Sequence, residues 1–191
     1  MEGNIAYFIQ SLETTERVNY NNRNKEILPE FAVFKSINGY DSVETMVEFE
    51  KSQLKFVKLD DGFSTYGTLA NFLTKVNAFK YQIENNIEYM CLIEDDVIVH
   101  DNFKSFVENL LPLTENYNMI RLFNLGEGYI TSIAGAKNII KHIYESGIIM
   151  NIDNQLRLSC GPELFVNNTP FHLVVNTNEG DCLRTEQLKM D

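Results

Sequence analysis

The residues with the most evident chemistry are three consecutive acids, Glu94-Asp95-Asp96, which follow the apolar run Tyr89-Met90-Cys91-Leu92-Ile93 and precede Val97-Ile98-Val99. They interrupt what is otherwise a continuous hydrophobic strand. An unpartnered buried carboxylate costs several kcal/mol, and adjacent carboxylates repel, so either the chain turns into solvent here or a cation neutralises the cluster. With the two-residue alternation of a strand, Glu94 and Asp96 project to one side and Asp95 to the other. Glu94 and Asp96 then offer oxygen ligands to Mg2+ or Mn2+, with positions left for phosphate oxygens and water. A solvated turn after a strand is the alternative reading.

Other polar residues are single signals. Arg17 falls in the first turns of the first expected helix, where a phosphate can meet both its guanidinium and free backbone N–H groups; a surface arginine is the alternative. Gln10 and Ser11 close the first expected strand and are candidate ligand contacts with Arg17, Glu94 and Asp95. Asp153 suits either a helix N-cap or a general base. Glu127 and Asp181 lie in Gly-flanked segments as reserve carboxylates. His172, between Phe171 and Leu173, reads as a packed side chain. Cys91, Cys160 and Cys182 lack metal-site spacing and read as reduced thiols. The sequon Asn167-Asn168-Thr169 is followed by Pro170 and reads as coincidence.

The elements that must position these residues follow from periodicity. Ile5 to Ile9 reads as a strand, Thr14 to about Leu28 as a helix stopped by Pro29, and Phe31 to Ile37 as a second strand, which makes a parallel β-α-β start. Residues 42–63 read as a connection with at most one short element. Leu69, Phe72, Leu73, Val76, Phe79 and Ile83 recur at helical spacing and predict a helix over 67–84. The strand Tyr89 to Ile93 follows. Asp101 is placed as the cap of a helix carrying Phe103, Phe106, Val107, Leu110 and Leu111. Strands are expected at Met119 to Phe123 and Tyr129 to Ser132, then a helix burying Ala136, Ile139, Ile140 and Ile143 that ends near Gly147. Leu164 to Asn167 and Phe171 to Val175 are short strand candidates, expected to run antiparallel. The alternation predicts an α/β three-layer sandwich with a mostly parallel central sheet, whose ligands bind beyond the carboxyl ends of the strands.

The chain is 191 residues long with formal net charge -11, enough for a single domain with a sizeable core. Its negative field argues against nucleic acid or anionic lipid as a partner. No run approaches the roughly 20 apolar residues that span a bilayer, and the opening MEGNIAYFIQ lacks a signal peptide's basic start. A cytoplasmic chain with no transmembrane segment is the expectation.

Several segments together resemble glycosyltransferase family 25, the lipopolysaccharide-type transferases of GT-A fold. Ile9-Gln10-Ser11-Leu12-Glu13-Thr14-Thr15-Glu16-Arg17 is similar to the family's I-N-L-D-R-S-T-D-R opening, and Phe34-Lys35-Ser36-Ile37-Asn38-Gly39 to its f-x-A-v-D-G segment. Gly67-Thr68-Leu69-Ala70-Asn71-Phe72 stands in the place of G-C-A-L-S-H, and Leu92-Ile93-Glu94-Asp95-Asp96-Val97 resembles the L-I-L-E-D-D-A/V core. Gly128-Tyr129-Ile130 through Gly135-Ala136-Lys137, with Ile152-Asp153 beyond, is similar to the a-Y-l-I-S-x-x-G-A-x-K-L helix and its P-I-D. The chain departs from the family at Gln10, Glu13, Asn71 and Phe72. Arg17, Glu94, Asp95, Asp96 and Asp153 carry over.

The resemblance implies a GT-A-like domain over 1–191 that moves a sugar, with inversion, from a nucleotide diphosphate sugar such as a UDP-hexose to the hydroxyl of a glycan, lipopolysaccharide or protein-linked acceptor. It implies Mn2+ or Mg2+ on Asp96 with Glu94 or Asp95, and a carboxylate base: Asp153, with Glu127 and Asp181 in reserve. The alternative is a non-catalytic sugar- or nucleotide-binding relative. A response-regulator receiver fits poorly, because its acids close the first strand whereas this one ends in Gln10 and Ser11. A nucleotidyltransferase opens with a Gly-rich basic loop, and 10–17 contains no Gly.

Overall fold

The apolar run from Ile5 builds strand β1 (Ile5–Ser11), buried on both sides as a parallel strand flanked by helices must be. Helix α1 (Thr15–Ile27) and strand β2 (Ala32–Lys35) complete the parallel β-α-β start. The computed structural model describes residues 4–57, 65–122, 126–166 and 171–173. Asp60-Asp61-Gly62, the Asn124-Leu125 segment, the sequon, Asp181 and Cys182 lie outside the described residues.

Beyond β2 the stretch read as a connection contains an 11-residue helix, α2 (Ser42–Ser52), whose start is fixed by Asp41 accepting from the backbone N–H groups of Val43 and Glu44. Helix α3 (Tyr66–Glu84) follows, capped by Thr65, with Leu69, Phe72, Leu73, Val76 and Phe79 at 0–1% exposure. Burying one such side chain contributes about 1.5–3 kcal/mol. Strand β3 (Tyr89–Glu94) carries one residue more than the apolar run and ends on Glu94.

At Asp95-Asp96 the chain turns out of the sheet, and β4 (Val97–Val99) pairs antiparallel with β8 (Phe171–Leu173) in a separate two-stranded sheet, where His172 lies opposite Ile98. Helix α4 (Phe103–Leu110) and a 3-10 turn (Leu111–Glu115) follow. Asn102, not Asp101, holds the α4 cap position, and it makes no side-chain cap bond. Strands β5 (Met119–Arg121) and β6 (Gly128–Ser132), helices α5 (Ile133–Ser146) and α6 (Ile152–Ser159), and strand β7 (Glu163–Phe165) complete the order.

The main sheet has the order β2-β1-β3-β6-β5-β7. Only β6 runs against the others: β1 is parallel to β2 and β3, and β7 is parallel to β5. The expected antiparallel tail therefore holds for β8 but not for β7, which continues the parallel sheet beyond β5 because it joins that strand in the same direction.

Strand alternation divides the core. Phe8, Met90, Leu92, Met119 and Tyr129 face α3, α5 and α6, whereas Tyr7, Ile9, Cys91, Ile93, Ile120 and Ile130 face Leu28, Phe31, β4 and α4. The result is the expected three-layer α/β sandwich with a mostly parallel central sheet. Asn24, fully buried in α1, donates to the Val97 carbonyl at 2.7 Å and accepts from the Val99 N–H at 3.0 Å, so the helix supplies β4 with hydrogen bonds a neighbouring strand would otherwise make. No helix among the described residues is long and apolar enough to cross a membrane.

Candidate functional site

The carboxyl ends of β1 and β3 are in register, with Gln10 opposite Glu94. The alternation that sorts the core also sorts the polar residues beyond it. Glu94, with the parity of Leu92, turns to the α3 side, and Asp95 turns to the α1 side. Each meets a cation of the chain. Lys75 Nζ lies 2.7 Å from Glu94 Oε1, and Arg17 lies 3.3 Å from Asp95 Oδ1. The acidic run is thus compensated partly by a turn and partly by the protein's own basic side chains.

Lys75 is 0% exposed, at the centre of a four-oxygen cage. Besides Glu94 it contacts Asp153 Oδ1 at 2.6 Å, the Tyr129 hydroxyl at 3.2 Å and the Gly126 carbonyl at 3.2 Å. Tyr129 in turn donates its hydroxyl proton to Asp153 Oδ1 at 2.5 Å. Gly126 has φ +97°, and a Cβ there would collide with Asp153 Oδ1 and the Tyr129 hydroxyl, so the backbone approaches this closely only as glycine.

Asp153 belongs to the first turn of α6 but is not its cap: Asn151 is, accepting from the Asn154 N–H at 3.0 Å. Asp153 is therefore available to the cluster, with its side chain 32% exposed and its described contacts all made through Oδ1.

One ammonium between two carboxylates cannot satisfy both fully. Burial, helped by Asp153 and Asp96, pushes the Glu94 carboxyl up to about 7 against the opposing pull of Lys75. Burial opposes the Lys75 charge, but Asp153, Glu94 and Tyr129 together outweigh it and hold the amine well above its ordinary value. Burial likewise raises the Tyr129 hydroxyl. Asp95 is raised by burial and lowered by Arg17, the Ser11 hydroxyl and the Leu12 N–H, with a net upward direction.

The remaining predicted residues gather on the same rim. Ser11 accepts from Asn21 at 3.0 Å and from the Glu13 N–H at 2.9 Å, and Gln10 donates to Asn71 Oδ1 at 2.8 Å. Glu127 lies next to the cluster, its carbonyl accepting from the Glu94 N–H at 2.8 Å. Gln10, Ser11, Arg17, Glu94, Asp95, Asp96, Glu127 and Asp153 thus share one end of the sheet, while Asp181 lies outside the described residues.

Lys75 and Tyr129 were not among the expected site residues. The signal for Lys75 was its position: three residues after Phe72 and four before Phe79, it occupies a place in the apolar stripe of α3, where a lysine survives only with buried partners.

The residues can be tested for a divalent cation. Among the described residues no group of three His, Cys, Asp or Glu side chains is arranged to hold a metal. Asp96 Oδ1, however, is buried with no hydrogen-bond partner among them, two residues after the partly exposed Glu94. One or two carboxylates with an unmet acceptor oxygen fit Mg2+ or Mn2+ when phosphate oxygens and water supply the other positions, and do not fit a cation held by protein alone.

Comparison with known proteins places this geometry in context. The sequence model of glycosyltransferase family 25 (LPS biosynthesis protein) matches residues 4–128, a span that runs from β1 to the start of β6 and includes Lys75 and the acidic run. No curated protein matches the chain at a significant level. Among solved structures, the crystal structure of a glycosyltransferase involved in the glycosylation of the major capsid of PBCV-1 is similar over 95% of this chain and 98% of that one, with 11% sequence identity and a TM-score of 0.44.

Proposed function

The chain belongs to glycosyltransferase family 25, and from that membership we propose that it is a single GT-A-like domain that transfers a hexose, with inversion, from a UDP-sugar to a hydroxyl of a glycan, lipopolysaccharide or protein-linked acceptor. Glycosyl transfer as such follows from the family. The observation that best supports the finer reading is the convergence of Arg17, Glu94, Asp95, Asp96 and Asp153 on the carboxyl ends of β1 and β3, with Asp96 Oδ1 buried and without a hydrogen-bond partner among the described residues.

In this reading the donor diphosphate lies over the rim near the start of α1, where Arg17 and free backbone N–H groups favour an anion. Asp96 with Glu94 would hold Mn2+ or Mg2+, which when bound acts as a Lewis acid toward the charge developing on the diphosphate. Arg17 is held by Asp95, so its guanidinium is oriented before the ligand arrives. Inverting displacement forms a bond from the acceptor oxygen to the anomeric carbon as the bond to the diphosphate breaks, and the acceptor's proton passes to a carboxylate. We assign that base to Asp153, whose side chain is one-third exposed and fixed at one oxygen; Glu127, bonded to Glu94 through its backbone, and Asp181 stay reserves.

The test is release of UDP from UDP-galactose, UDP-glucose and their N-acetylated forms, with and without Mn2+, alongside thermal shifts that rank the donors because stabilisation follows ligand concentration over Kd. Mn2+-dependent stabilisation and UDP release by one donor is the expected result. Donor binding without any turnover would leave a non-catalytic binding relative, and the absence of both would remove the UDP-sugar assignment.

A further inference from the structure

We propose that Lys75 is a positioning residue for transfer, holding the base Asp153 so that one carboxylate oxygen is fixed inside the protein and the other faces the acceptor; this rests on the assignment of Asp153 made above. The argument begins with placement. Lys75 reaches from the buried face of α3 to Glu94 at the end of β3, to the Gly126 carbonyl and Tyr129 at the start of β6, and to Asp153 at the start of α6.

Asp153 Oδ1 receives both the Lys75 ammonium at 2.6 Å and the Tyr129 hydroxyl at 2.5 Å, and Tyr129 accepts from Lys75 at 3.2 Å, so three groups close a triangle about a single oxygen. A carboxylate held through one oxygen has lost its rotation about the Cβ–Cγ bond. Its second oxygen then takes a direction set by the fold, on a side chain that is 32% exposed. Orientation of a reacting group to within about an ångström is worth about 10²-fold in rate.

Simple packing does not require this arrangement. A leucine or methionine would fill the same position in the α3 stripe without carrying a charge into a fully buried place, and removing one member of a buried ion pair is the costly change, not replacing the whole pair. Among the described residues the partners of the lysine are two carboxylates, a tyrosine hydroxyl and a backbone carbonyl, all at the candidate site.

The test is a double-mutant cycle on UDP release from UDP-galactose with Mn2+, at saturating donor and as single turnovers with enzyme in excess, so that slowed variants stay above the blank. Lys75→Met is expected to slow release about 10²-fold. The variant Asp153→Asn with Lys75→Met removes one positive and one negative charge together and should fold; it is expected to be no slower than Asp153→Asn alone, within about two-fold, because Lys75 acts through Asp153. Lys75→Gln, whose amide still donates to one carboxylate, replaces Lys75→Met in the cycle if the latter does not fold. A double variant slower than Asp153→Asn by the full Lys75 factor, or a Lys75 variant with the wild-type rate, overturns the positioning role. Wild-type release by Asp153→Asn, or none by the wild type, overturns the base assignment and the positioning role with it.

Discussion

Replacing Asp96 by alanine separates two effects that the structure predicts with opposite signs. Asp96 Oδ1 is buried with no partner among the described residues, and the Asp96 charge is one of the causes that push up the neighbouring Glu94 carboxyl. An unmet buried acceptor costs about 1–3 kcal/mol. Asp96→Ala removes that penalty and a like charge, and gives up the few contacts of a small, partly exposed side chain, so the apoprotein should gain about 1 kcal/mol. For a chain of this length that is a rise of about 2–4 °C in Tm. The same oxygen is the one assigned to a divalent cation in the proposed function. With donor and Mn2+ at about 100 times Kd the wild type should gain about 2.7 kcal/mol, or roughly 5–11 °C, and the variant should gain nothing from Mn2+. Differential scanning fluorimetry of both proteins, with EDTA, Mn2+, UDP-galactose and the pair, reads all of these numbers. A variant that still shows a Mn2+-dependent donor shift refutes the ligand assignment, and one clearly less stable than the wild type refutes the reading of Asp96 as an uncompensated acceptor.

Three further outcomes follow from the same cluster. Asp153→Asn should keep donor affinity and Mn2+ dependence in calorimetry but lower transfer about 10²–10⁴-fold; a loss of stability large enough to explain the rate is not expected, because the α6 cap is Asn151. Gly126→Ala should lower both Tm and transfer, since the new Cβ needs a left-handed backbone and meets Asp153 Oδ1 and the Tyr129 hydroxyl, and a wild-type melting curve would contradict the close approach. The Glu94 carboxyl, raised from 4.5 to about 7, binds its proton more tightly folded than unfolded, so its contribution is complete below 4.5 and is lost as pH rises through about 7. Urea midpoints in metal-free buffer should therefore fall between about pH 5 and pH 8 for the wild type and fall less for Glu94→Gln.

The elements legible in the sequence were those whose burial follows a single period. The α3 stripe, the run from Tyr89 and the Ala136, Ile139 and Ile143 face of α5 each point at one core, and each element was read within a few residues of its place. Helix α2 was not legible, because its apolar residues are misaligned with its burial: Val43 is 71% and Val47 42% exposed while Thr45 and Ser52 are buried. Its start carries a capping pattern, Asp41 with Glu44 three residues on, which the reading of residues 42–63 as a connection did not use. At the site, the acids were visible as an interruption of a strand. Their compensation was not, since Lys75 and Asp153 stand 78 positions apart and only the packing of α3 and α6 on the same face of the sheet brings them together.

The Asn24 amide bears on how this site can be moved or redesigned. The acidic turn is not a self-contained loop: in β4, the strand that leaves it, the Val97 carbonyl accepts from and the Val99 N–H donates to one side chain of α1, the same helix that brings Arg17 to Asp95. Grafted alone onto another sheet, residues 94–99 would arrive with two unsatisfied backbone groups and with both Glu94 and Asp95 deprived of their cations. A transplant therefore has to carry α1 and the Lys75 end of α3 together with the turn and β4, and a library that varies the turn and β4 while holding α1 constant will sample mismatched halves unless position 24 is kept as asparagine.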